Sequence, residues 1–315
     1  MSQVDIAIIG GGPAGLTAAA TLARQLHTTI VFDSGLYRND GNHHIHTVPG
    51  FEHKDPRAFR DTTRSQLLDR YRTIQFRDVG VTRIEKKSDS SFTVTDANDK
   101  TWEVKKVILG IGSTDVLPDI EGYKELWKKK IYHCLFCLGY ESHGAPTAGV
   151  LAVQASAMMP ALAIHSADNA AQLAKHITIY TNGSQEVHAQ LTAMLPNSPF
   201  QIESRAIARL ASKDEDEVTI EFSDGTTTCV SFLVHNPLTT PQGPFVQQLG
   251  LQMSPMGDIQ ADAPFYQTTI KGVFAAGDCV TPFKVIPHAI ASGNFAAVAA
   301  ATQIQAEKYG HISMV

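Results

Sequence analysis

Two cysteines separated by two residues, Cys134 and Cys137, have the residue type and spacing for redox or metal chemistry. A structural zinc site needs about four ligands. The other dense group of candidate ligands, His43, His44 and His46, does not supply a second pair with suitable spacing. We therefore predict a redox-active dithiol and no bound metal ion.

A glycine-rich turn near the amino terminus has the pattern that binds a nucleotide cofactor. The turn reads GGGPAG at residues 10–15 and follows a predicted buried strand, Val4–Ile9. A helix is predicted over residues 16–24, and a second strand over residues 28–32 leads to Asp33. This order of strand, glycine turn, helix, strand and acidic residue is typical of dinucleotide-binding domains.

Each part of this pattern has a mechanical reason. Gly10 permits the tight turn, Gly12 lets a pyrophosphate approach the backbone, and Gly15 lets the helix pack closely on the strand. The amino terminus of the helix offers free N–H groups to the phosphates. Asp33 can accept hydrogen bonds from the ribose hydroxyls.

The far end of the chain indicates that the dinucleotide is FAD. Residues 272–278 read GVFAAGD, a short apolar strand that leads to a glycine and Asp278. Pro287 fits the first turn of a helix predicted from Ala289 to about Gln305. We expect Asp278 to bind the ribityl and phosphate portion, and the helix amino terminus to stabilise negative charge on a reduced flavin ring.

The middle of the chain predicts an inserted α/β unit. Strands are predicted over residues 150–153 and 177–180, with a helix from Ala157 to Leu173 between them. A hairpin is predicted next, with strands over residues 217–222 and 228–234 around a turn at 223–226. Cys229 alternates with apolar residues in this hairpin, so we expect it to be buried.

Together these segments predict an α/β protein with two Rossmann-like, three-layer domains of the dinucleotide-binding type, the second inserted in the first. The FAD-binding domain is discontinuous and comprises residues 1–117 and 242–315. The inserted domain, residues 118–241, carries the cysteine pair and resembles an NADPH-binding domain that has lost its motifs.

Composition excludes several classes of partner. The net charge of -5 and the pI near 6.2 argue against nucleic acid or an anionic membrane as a partner. The sequence begins without a cationic leader or cleavage site, and no apolar run reaches the roughly 18 residues of a membrane span. We therefore expect a cytoplasmic protein.

On these motifs the chain resembles the low-molecular-weight thioredoxin reductases over nearly its whole length. Within that family, HCLFCLGYE at residues 133–141 is more similar to the dithiol oxidases of disulfide natural-product pathways, the gliotoxin- and holomycin-type enzymes. Residues 32–39 and 44–47 support the same subgroup. The resemblance implies FAD as the cofactor and a homodimer. The residues it implies for FAD binding are Gly10, Gly12, Pro13, Ala14, Gly15, Asp33, Ser34, Arg38, Asn39, His46, Gly112, Gly277, Asp278, Val285 and Ile286.

Two departures from the reductases concern NADPH. A reductase has G-x-G-x-x-A after the first strand of its inserted domain, whereas residues 153–159 read VQASAMM here. A basic cluster that binds the 2′-phosphate would follow the next strand, whereas residues 180–183 read YTNG. Two independent losses predict that NADPH does not bind.

A third departure concerns acid–base chemistry. Reductases place an acidic residue directly after the second cysteine, and this chain has Leu138 there. His133, adjacent to Cys134, is the nearest replacement, and the resemblance implies that it works with Asn39, or less favourably with Asn42. His288 is assigned either to the flavin or substrate site, or to simple burial.

The predicted function is that of an FAD-dependent dithiol oxidase. It would form an intramolecular disulfide in a small-molecule dithiol through Cys134 and Cys137, with O2 reduced to H2O2. Two alternatives remain open at this point: an NADPH-dependent disulfide reductase of the thioredoxin-reductase type, and a non-catalytic flavin redox sensor.

Overall fold

The computed structural model describes residues 4–212 and 217–315. Its contacts divide the chain into two compact units. Unit 1 comprises residues 1–114 and 239–315, and unit 2 comprises residues 115–238. Both crossings lie a few residues before the limits expected from the sequence.

Strands and helices alternate along most of the chain. The strands are β1 Val4–Ile9, β2 Thr29–Phe32, β3 Ile74–Arg77, β4 Val81–Ser88, β5 Ser91–Asp96, β6 Thr101–Leu109, β7 Ser113–Val116, β8 Ile131–Tyr132, β9 Ala145–Leu151, β10 Ala174–Tyr180, β11 Gln201–Glu203, β12 Ile207–Ala211, β13 Val218–Phe222, β14 Thr227–Val230, β15 Phe232–Val234, β16 Leu238–Pro241, β17 Ala261–Asp262, β18 Gln267–Thr268 and β19 Val273–Ala275. The α-helices are α1 Pro13–Ala23, α2 Pro56–Arg70, α3 Tyr123–Leu126, α4 Leu135–Leu138, α5 Ala155–Met158, α6 Pro160–Ala170, α7 Gln185–Met194, α8 Phe245–Leu249 and α9 Ile286–Tyr309.

Unit 1 is built on a sheet in the order β17-β18-β19-β6-β1-β2-β3, to which β5 adds through β6. The central strand β1 is parallel to both β2 and β6. Ile6 and Ile8 belong to the apolar cluster that includes α1 and α9, whereas Ala7 and Ile9 belong to a second cluster. Because successive side chains of a strand point to opposite faces, β1 is buried on both sides, as expected for a parallel sheet.

Unit 2 contains a parallel sheet in the order β11-β10-β9-β15-β8 and an antiparallel sheet in the order β12-β13-β14. The predicted α/β class is therefore confirmed. Strand β7 pairs with β16 where the chain passes between the units.

The predicted hairpin in unit 2 is wrong in its second half. The segment predicted as one strand divides at Ser231: β14 pairs with β13, whereas β15 enters the parallel sheet between β9 and β8. Cys229 is exposed rather than buried, since it lies on the outer face of the edge strand β14 while Val230 faces the core.

The helix predicted from Ala157 to Leu173 is also interrupted. Helix α5 ends at Met158, and Met159 has φ -135° and ψ 85°, outside the helical region. The cause is Pro160, because the ring of a proline disfavours helical backbone at the residue before it. Strand β9 ends at Leu151 rather than Val153, and α9 begins at Ile286 and continues to Tyr309, so it is longer at both ends than predicted.

No helix within residues 4–212 and 217–315 combines the length and the apolar character needed to cross a bilayer.

Candidate active site

The glycine turn of unit 1 is closed so tightly that side chains cannot enter it. Gly10 has a φ of 114°, and a Cβ there would overlap the carbonyl oxygen of Gly110. A Cβ at Gly15 would overlap the carbonyl oxygen of Gly10, which is the close helix–strand contact that the sequence predicted. A Cβ at Gly11 would overlap the carboxylate of Asp33.

Helix α1 begins directly after this turn with its amino terminus open. Gly12 is the N-cap, Pro13 follows in the first turn, and no side chain caps the helix. The nearest atom to a Cβ at Gly12 would be a ring carbon of Tyr37, 4.0 Å away. The N–H groups of the first turn, which include those of Ala14 and Gly15, are thus placed to bind an anion.

Asp33 is buried at the end of β2 and is held in place by the loop that follows it. Its Oδ1 accepts a hydrogen bond from the backbone of Gly35 at 3.0 Å, and its Oδ2 accepts one from the hydroxyl of Tyr37 at 2.5 Å. Burial and the hydrogen bond to Asp33 both raise the pKa of Tyr37. The exposed Ser34 lies beside Asp33 in the wall of a cavity of about 450 Å³.

Arg60 of helix α2 links this carboxylate to the rest of the loop. Its guanidinium lies 3.8 Å from the centroid of the Tyr37 ring and is itself buried. It donates to Oδ1 of Asn39 at 3.2 Å and to Oδ1 of Asp40 at 2.9 Å. No motif pointed to Arg60, because it acts on the loop from a helix about twenty positions further along the chain.

The predicted carboxy-terminal flavin residues come close to the same loop. Arg38 Nη1 lies 3.5 Å from Oδ2 of Asp278. Gly277 donates its N–H to the hydroxyl of Ser292, which lies in the second turn of α9. The remaining predicted positions lie in turns or at the start of α9: Gly112 has a φ of 67°, Val285 is the N-cap of α9, and Ile286 is its first residue.

A buried lysine fixes the segment between Asp278 and α9. Lys284 Nζ donates to Asp258 at 2.8 Å, to the carbonyl of Asp278 at 2.7 Å and to the carbonyl of Thr281 at 2.7 Å. Both partners of the Lys284–Asp258 ion pair are almost completely buried. The amino terminus of α9, like that of α1, has no side-chain cap.

Histidines form a second group of polar side chains in unit 1. Nδ1 of the half-buried His46 is 2.5 Å from Oε1 of Glu52, and the rings of His44 and His53 stack at 3.8 Å. His288 Nε2 lies 3.2 Å from the hydroxyl of Tyr266, and burial lowers the pKa of His288. His53 is a neighbour that the sequence patterns did not predict, since it lies outside the His43–His46 run.

These observations fit FAD as a ligand. Gly10, Gly11 and Gly15 leave no room for a Cβ, the first turn of α1 exposes N–H groups, and Asp33 is held beside a cavity. Residues from both ends of the chain, Arg38 and Asp278, meet at this site.

The dithiol lies in unit 2, where Cys134 and Cys137 form a disulfide. Cys134 is the N-cap of α4, which has only four residues. Leu135 anchors this segment in the apolar core, whereas Phe136 is 69% exposed. The pair thus lies at a helix amino terminus, but so short a helix contributes little dipole to a thiolate.

His133 enters this site from the end of strand β8. Its ring lies 5.9 Å from the ring of Trp127, and its carbonyl oxygen accepts a hydrogen bond from Nδ2 of Asn236 at 2.7 Å. Asn39 and Asn42, the predicted partners of His133, belong to unit 1, so the pairing stays a prediction.

A buried pair of polar side chains in unit 2 joins helix α3 to the residue that follows β15. The hydroxyl of Tyr123 and Nδ1 of His235 share a hydrogen bond of 2.7 Å, and both residues are about 1% exposed. Burial lowers the pKa of His235 to about 4 and raises that of Tyr123. His235 is therefore neutral at physiological pH.

The turn after β9 holds a glutamine where a nucleotide-binding turn would have a glycine. Gln154 has a φ of 50° and a ψ of -119°, a backbone conformation that favours glycine. Its side chain folds across the turn: Nε2 donates to the carbonyl of Val116 at 2.9 Å, and Oε1 accepts from the N–H of Leu238 at 3.2 Å. Met158 and Met159, beyond it, are 67% and 47% exposed.

Comparison with known proteins places these features in context. Residues 4–293 match the family described as pyridine nucleotide-disulphide oxidoreductase. Thioredoxin reductase sirT of Leptosphaeria maculans is 40% identical over 93% of this chain and 91% of its own length. Thioredoxin reductase aclD of Aspergillus oryzae is 41% identical over 95% and 96%. The crystal structure of an oxidoreductase from Agrobacterium tumefaciens superposes with a TM-score of 0.86 at 31% identity, over 96% of this chain and 99% of that one.

Proposed function

This chain belongs to the pyridine nucleotide-disulphide oxidoreductase family and has FAD as its cofactor, and on that premise we propose that it is a dithiol oxidase. Its substrate would be a small-molecule dithiol, an epidithio or dithiolopyrrolone-type natural-product precursor, in which it closes an intramolecular disulfide. The electron acceptor would be O2, which leaves as H2O2. The net reaction converts one dithiol and one O2 into one disulfide and one H2O2.

The observation that carries this proposal is the side chain of Gln154. It occupies the turn through which a pyrophosphate would have to approach the backbone. Its amide hydrogen-bonds to the carbonyl of Val116 and to the N–H of Leu238. The next strand, β10, is followed by Thr181 and Asn182 rather than by a cation, and Asn182 Oδ1 accepts from the N–H of Ile207. With that turn filled, we propose that the cysteine pair takes its electrons from substrate thiols and not from a nicotinamide.

The cysteine pair has the chemistry to accept those electrons. A substrate thiolate attacks Sγ of Cys134, the Cys134–Cys137 bond breaks, and a mixed disulfide forms while Cys137 leaves as a thiolate. The second substrate thiol attacks the same substrate sulfur, which closes the substrate disulfide and releases Cys134. FAD, when bound, supplies the acceptor for the electron pair left on the two cysteines and the route from there to O2.

His133 is the proposed acid–base group. It accepts a proton from the incoming thiol and returns one to the departing sulfur, a role that contributes roughly 10²- to 10⁴-fold in rate. Its position next to Cys134 supports this role, as does the absence of an acidic residue at position 138. We propose that its partner is Asn39, whose side-chain Oδ1 accepts a hydrogen bond from Arg60.

The names of the relatives favour a second candidate. SirT and aclD are named thioredoxin reductases, and by analogy this chain would use NADPH to reduce a disulfide. The geometry at Gln154 argues against that function. We further propose a homodimer that acts without nucleic acid or membrane.

Oxygen-electrode measurements with a panel of small dithiols test the proposal. We expect turnover with at least one dithiol, loss of about 99% or more of it in Cys134→Ala and Cys137→Ala, and a loss of roughly 10²-fold or more in His133→Ala. Cys229→Ala is the matched control, because this exposed cysteine lies in a separate sheet, and its turnover should equal that of the parent.

Three outcomes contradict the oxidase. Undiminished turnover in either cysteine variant would exclude the exchange mechanism. Steady bleaching of NADPH with a disulfide acceptor would establish the reductase. A protein that retains FAD but turns over no thiol would instead be a redox sensor.

A further inference from the structure

The peptide bond that joins His133 to Cys134 is held by the side chain of Asn236, which is itself held by Ser166. Strands β8 and β15 are parallel neighbours, with Val234 opposite Tyr132. The residues that follow these strands therefore emerge side by side at the same edge of the sheet. By this register Asn236 lies next to Cys134.

Asn236 uses both ends of its amide. Its Nδ2 donates to the carbonyl oxygen of His133 at 2.7 Å, and its Oδ1 accepts from the hydroxyl of Ser166 at 3.1 Å. Ser166 lies on α6 and is 6% exposed. Because a backbone carbonyl oxygen can only accept, the end of the amide that faces His133 must be the NH2 group, and the amide oxygen therefore faces the hydroxyl of Ser166.

The core fixes the other side of the dithiol segment. Leu135 packs in the same apolar cluster as Ala163 and Ala167 of α6, the helix that carries Ser166. Cys134 thus lies between two fixed neighbours in the sequence. Leu135 packs in the apolar core, and the carbonyl of His133 accepts a hydrogen bond from Asn236. A hydrogen bond at that point controls the rotation of the peptide that carries Sγ of Cys134.

We propose that Asn236, oriented by Ser166, is a positioning residue that sets the direction from which a substrate sulfur reaches Cys134. This inference rests on the proposed thiol–disulfide exchange at Cys134. In that step the incoming sulfur forms a bond to Cys134 while the Cys134–Cys137 bond breaks and Cys137 leaves as a thiolate. A misplacement of about 1 Å can reduce the rate of such a reaction by about 10²-fold.

The test measures this exchange alone, without dependence on O2. The oxidised holoenzyme is mixed anaerobically with dithiothreitol, quenched with acid at short times and alkylated, and the thiols released at Cys134 and Cys137 are counted by mass spectrometry. We expect Asn236→Ala to slow their release by about 10- to 100-fold, and Ser166→Ala to slow it by a smaller factor. Asn169→Ala is the matched control, because this partly exposed asparagine on α6 bonds only to His165 among the contacts described, and its rate should not change.

An aspartate separates positioning from general support of the fold. In Asn236→Asp the carboxyl group can donate to the His133 carbonyl only while it is protonated. The ratio of the parent rate to the variant rate should therefore shrink as the pH falls from 8 to 5, whereas the same ratio for Asn236→Ala should stay constant. A change of shape alone would give two constant ratios.

The outcomes distinguish this inference from the oxidase proposal. Slower exchange in Asn236→Ala, with the pH-dependent ratio in Asn236→Asp, supports the positioning role even if the parent consumes no O2. An unchanged exchange rate in folded, FAD-containing Asn236→Ala overturns it, even if the parent is an active oxidase. A pH-independent ratio for Asn236→Asp also overturns it.

Discussion

The two units each contain a strand, a tight turn and a helix, but the turn is lined by glycines in one unit and filled by a side chain in the other. In unit 1 the turn has no room for a Cβ at Gly10, Gly11 or Gly15, and no side chain caps the amino terminus of α1. In unit 2 the turn after β9 keeps a glycine-like backbone at Gln154 and fills the space with that residue's amide. The two turns therefore differ in whether a side chain fills the space beside the backbone.

The two turns also differ in which backbone N–H groups a ligand could reach. A pyrophosphate needs N–H groups that no other acceptor has taken and a surface without Cβ atoms. Unit 1 offers both at Gly12 and the first turn of α1. In unit 2 the strands β8 and β15 deliver His133 and Asn236 to one edge of the sheet.

The first prediction concerns Gly15 in the glycine turn of unit 1, where we expect the greatest loss of stability. Gly15→Ala places a Cβ on the carbonyl oxygen of Gly10, and both atoms belong to backbone that cannot move aside. We expect the purified variant to contain little or no FAD and to lose about 3 kcal/mol or more of unfolding free energy, the upper range for overpacking. Visible absorbance and urea unfolding measure the two effects.

The matched control for this variant lies in the other unit. Ala157 occupies the corresponding place two residues inside α5, and Ala157→Gly should keep its FAD and cost about 1 kcal/mol. Full FAD content in Gly15→Ala would show that the close contact is not needed.

The second prediction concerns the buried histidine of unit 2 and the pH dependence of stability. His235 in unit 2 is almost fully buried, and its pKa is about 4 against 6.5 for an ordinary histidine. Between these values the unfolded chain binds a proton that the folded unit does not, so stability falls as the pH falls from about 6.5 towards 4. The loss should reach roughly 2 to 3 kcal/mol by pH 4.5.

Tryptophan fluorescence measures this loss unit by unit. Trp102 lies in unit 1 and Trp127 in unit 2, so a Trp102→Phe background reports on unit 2 alone. His235→Gln keeps an acceptor for Tyr123 but does not titrate, and it should remove most of the acid sensitivity. Equal sensitivity in parent and variant would assign the effect to another group.

The smallest effect concerns the filled turn. Gln154→Ala loses the hydrogen bonds to Val116 and Leu238 but keeps a backbone conformation that strains any residue with a Cβ. Gln154→Gly loses the same hydrogen bonds but relieves the strain. We expect the glycine variant to be more stable than the alanine variant by about 1 kcal/mol in urea unfolding. The reverse order would mean that the turn is not strained.

Local patterns in the sequence predicted much of this structure. The strand Val4–Ile9, the glycine turn and the position of Asp33 at the end of the next strand all depend on residues close together in the chain, and each was recognised. The same local rules failed where two tendencies competed. Pro160 interrupts a helix that its neighbours favour, and Ser231 divides a run of strand-forming residues between two sheets.

These local patterns did not predict contacts between residues that are far apart in the sequence. Arg60 reaches Asn39 across 21 positions, and Asn236 reaches His133 across 103. Neither residue belongs to a motif, and an arginine on a helix or an asparagine after a strand is ordinary. Only the folded register shows that they bear on the predicted site.

The amide of Gln154 also has a consequence for the evolution of the chain. It joins Val116, at the entrance of the inserted unit, to Leu238, at its exit, so the insert begins and ends at nearly the same point. A segment whose two ends adjoin can be exchanged or deleted, and a short linker can then reconnect the rest of the chain. Unit 1 should therefore fold after residues 117–237 are replaced by a few glycines and serines.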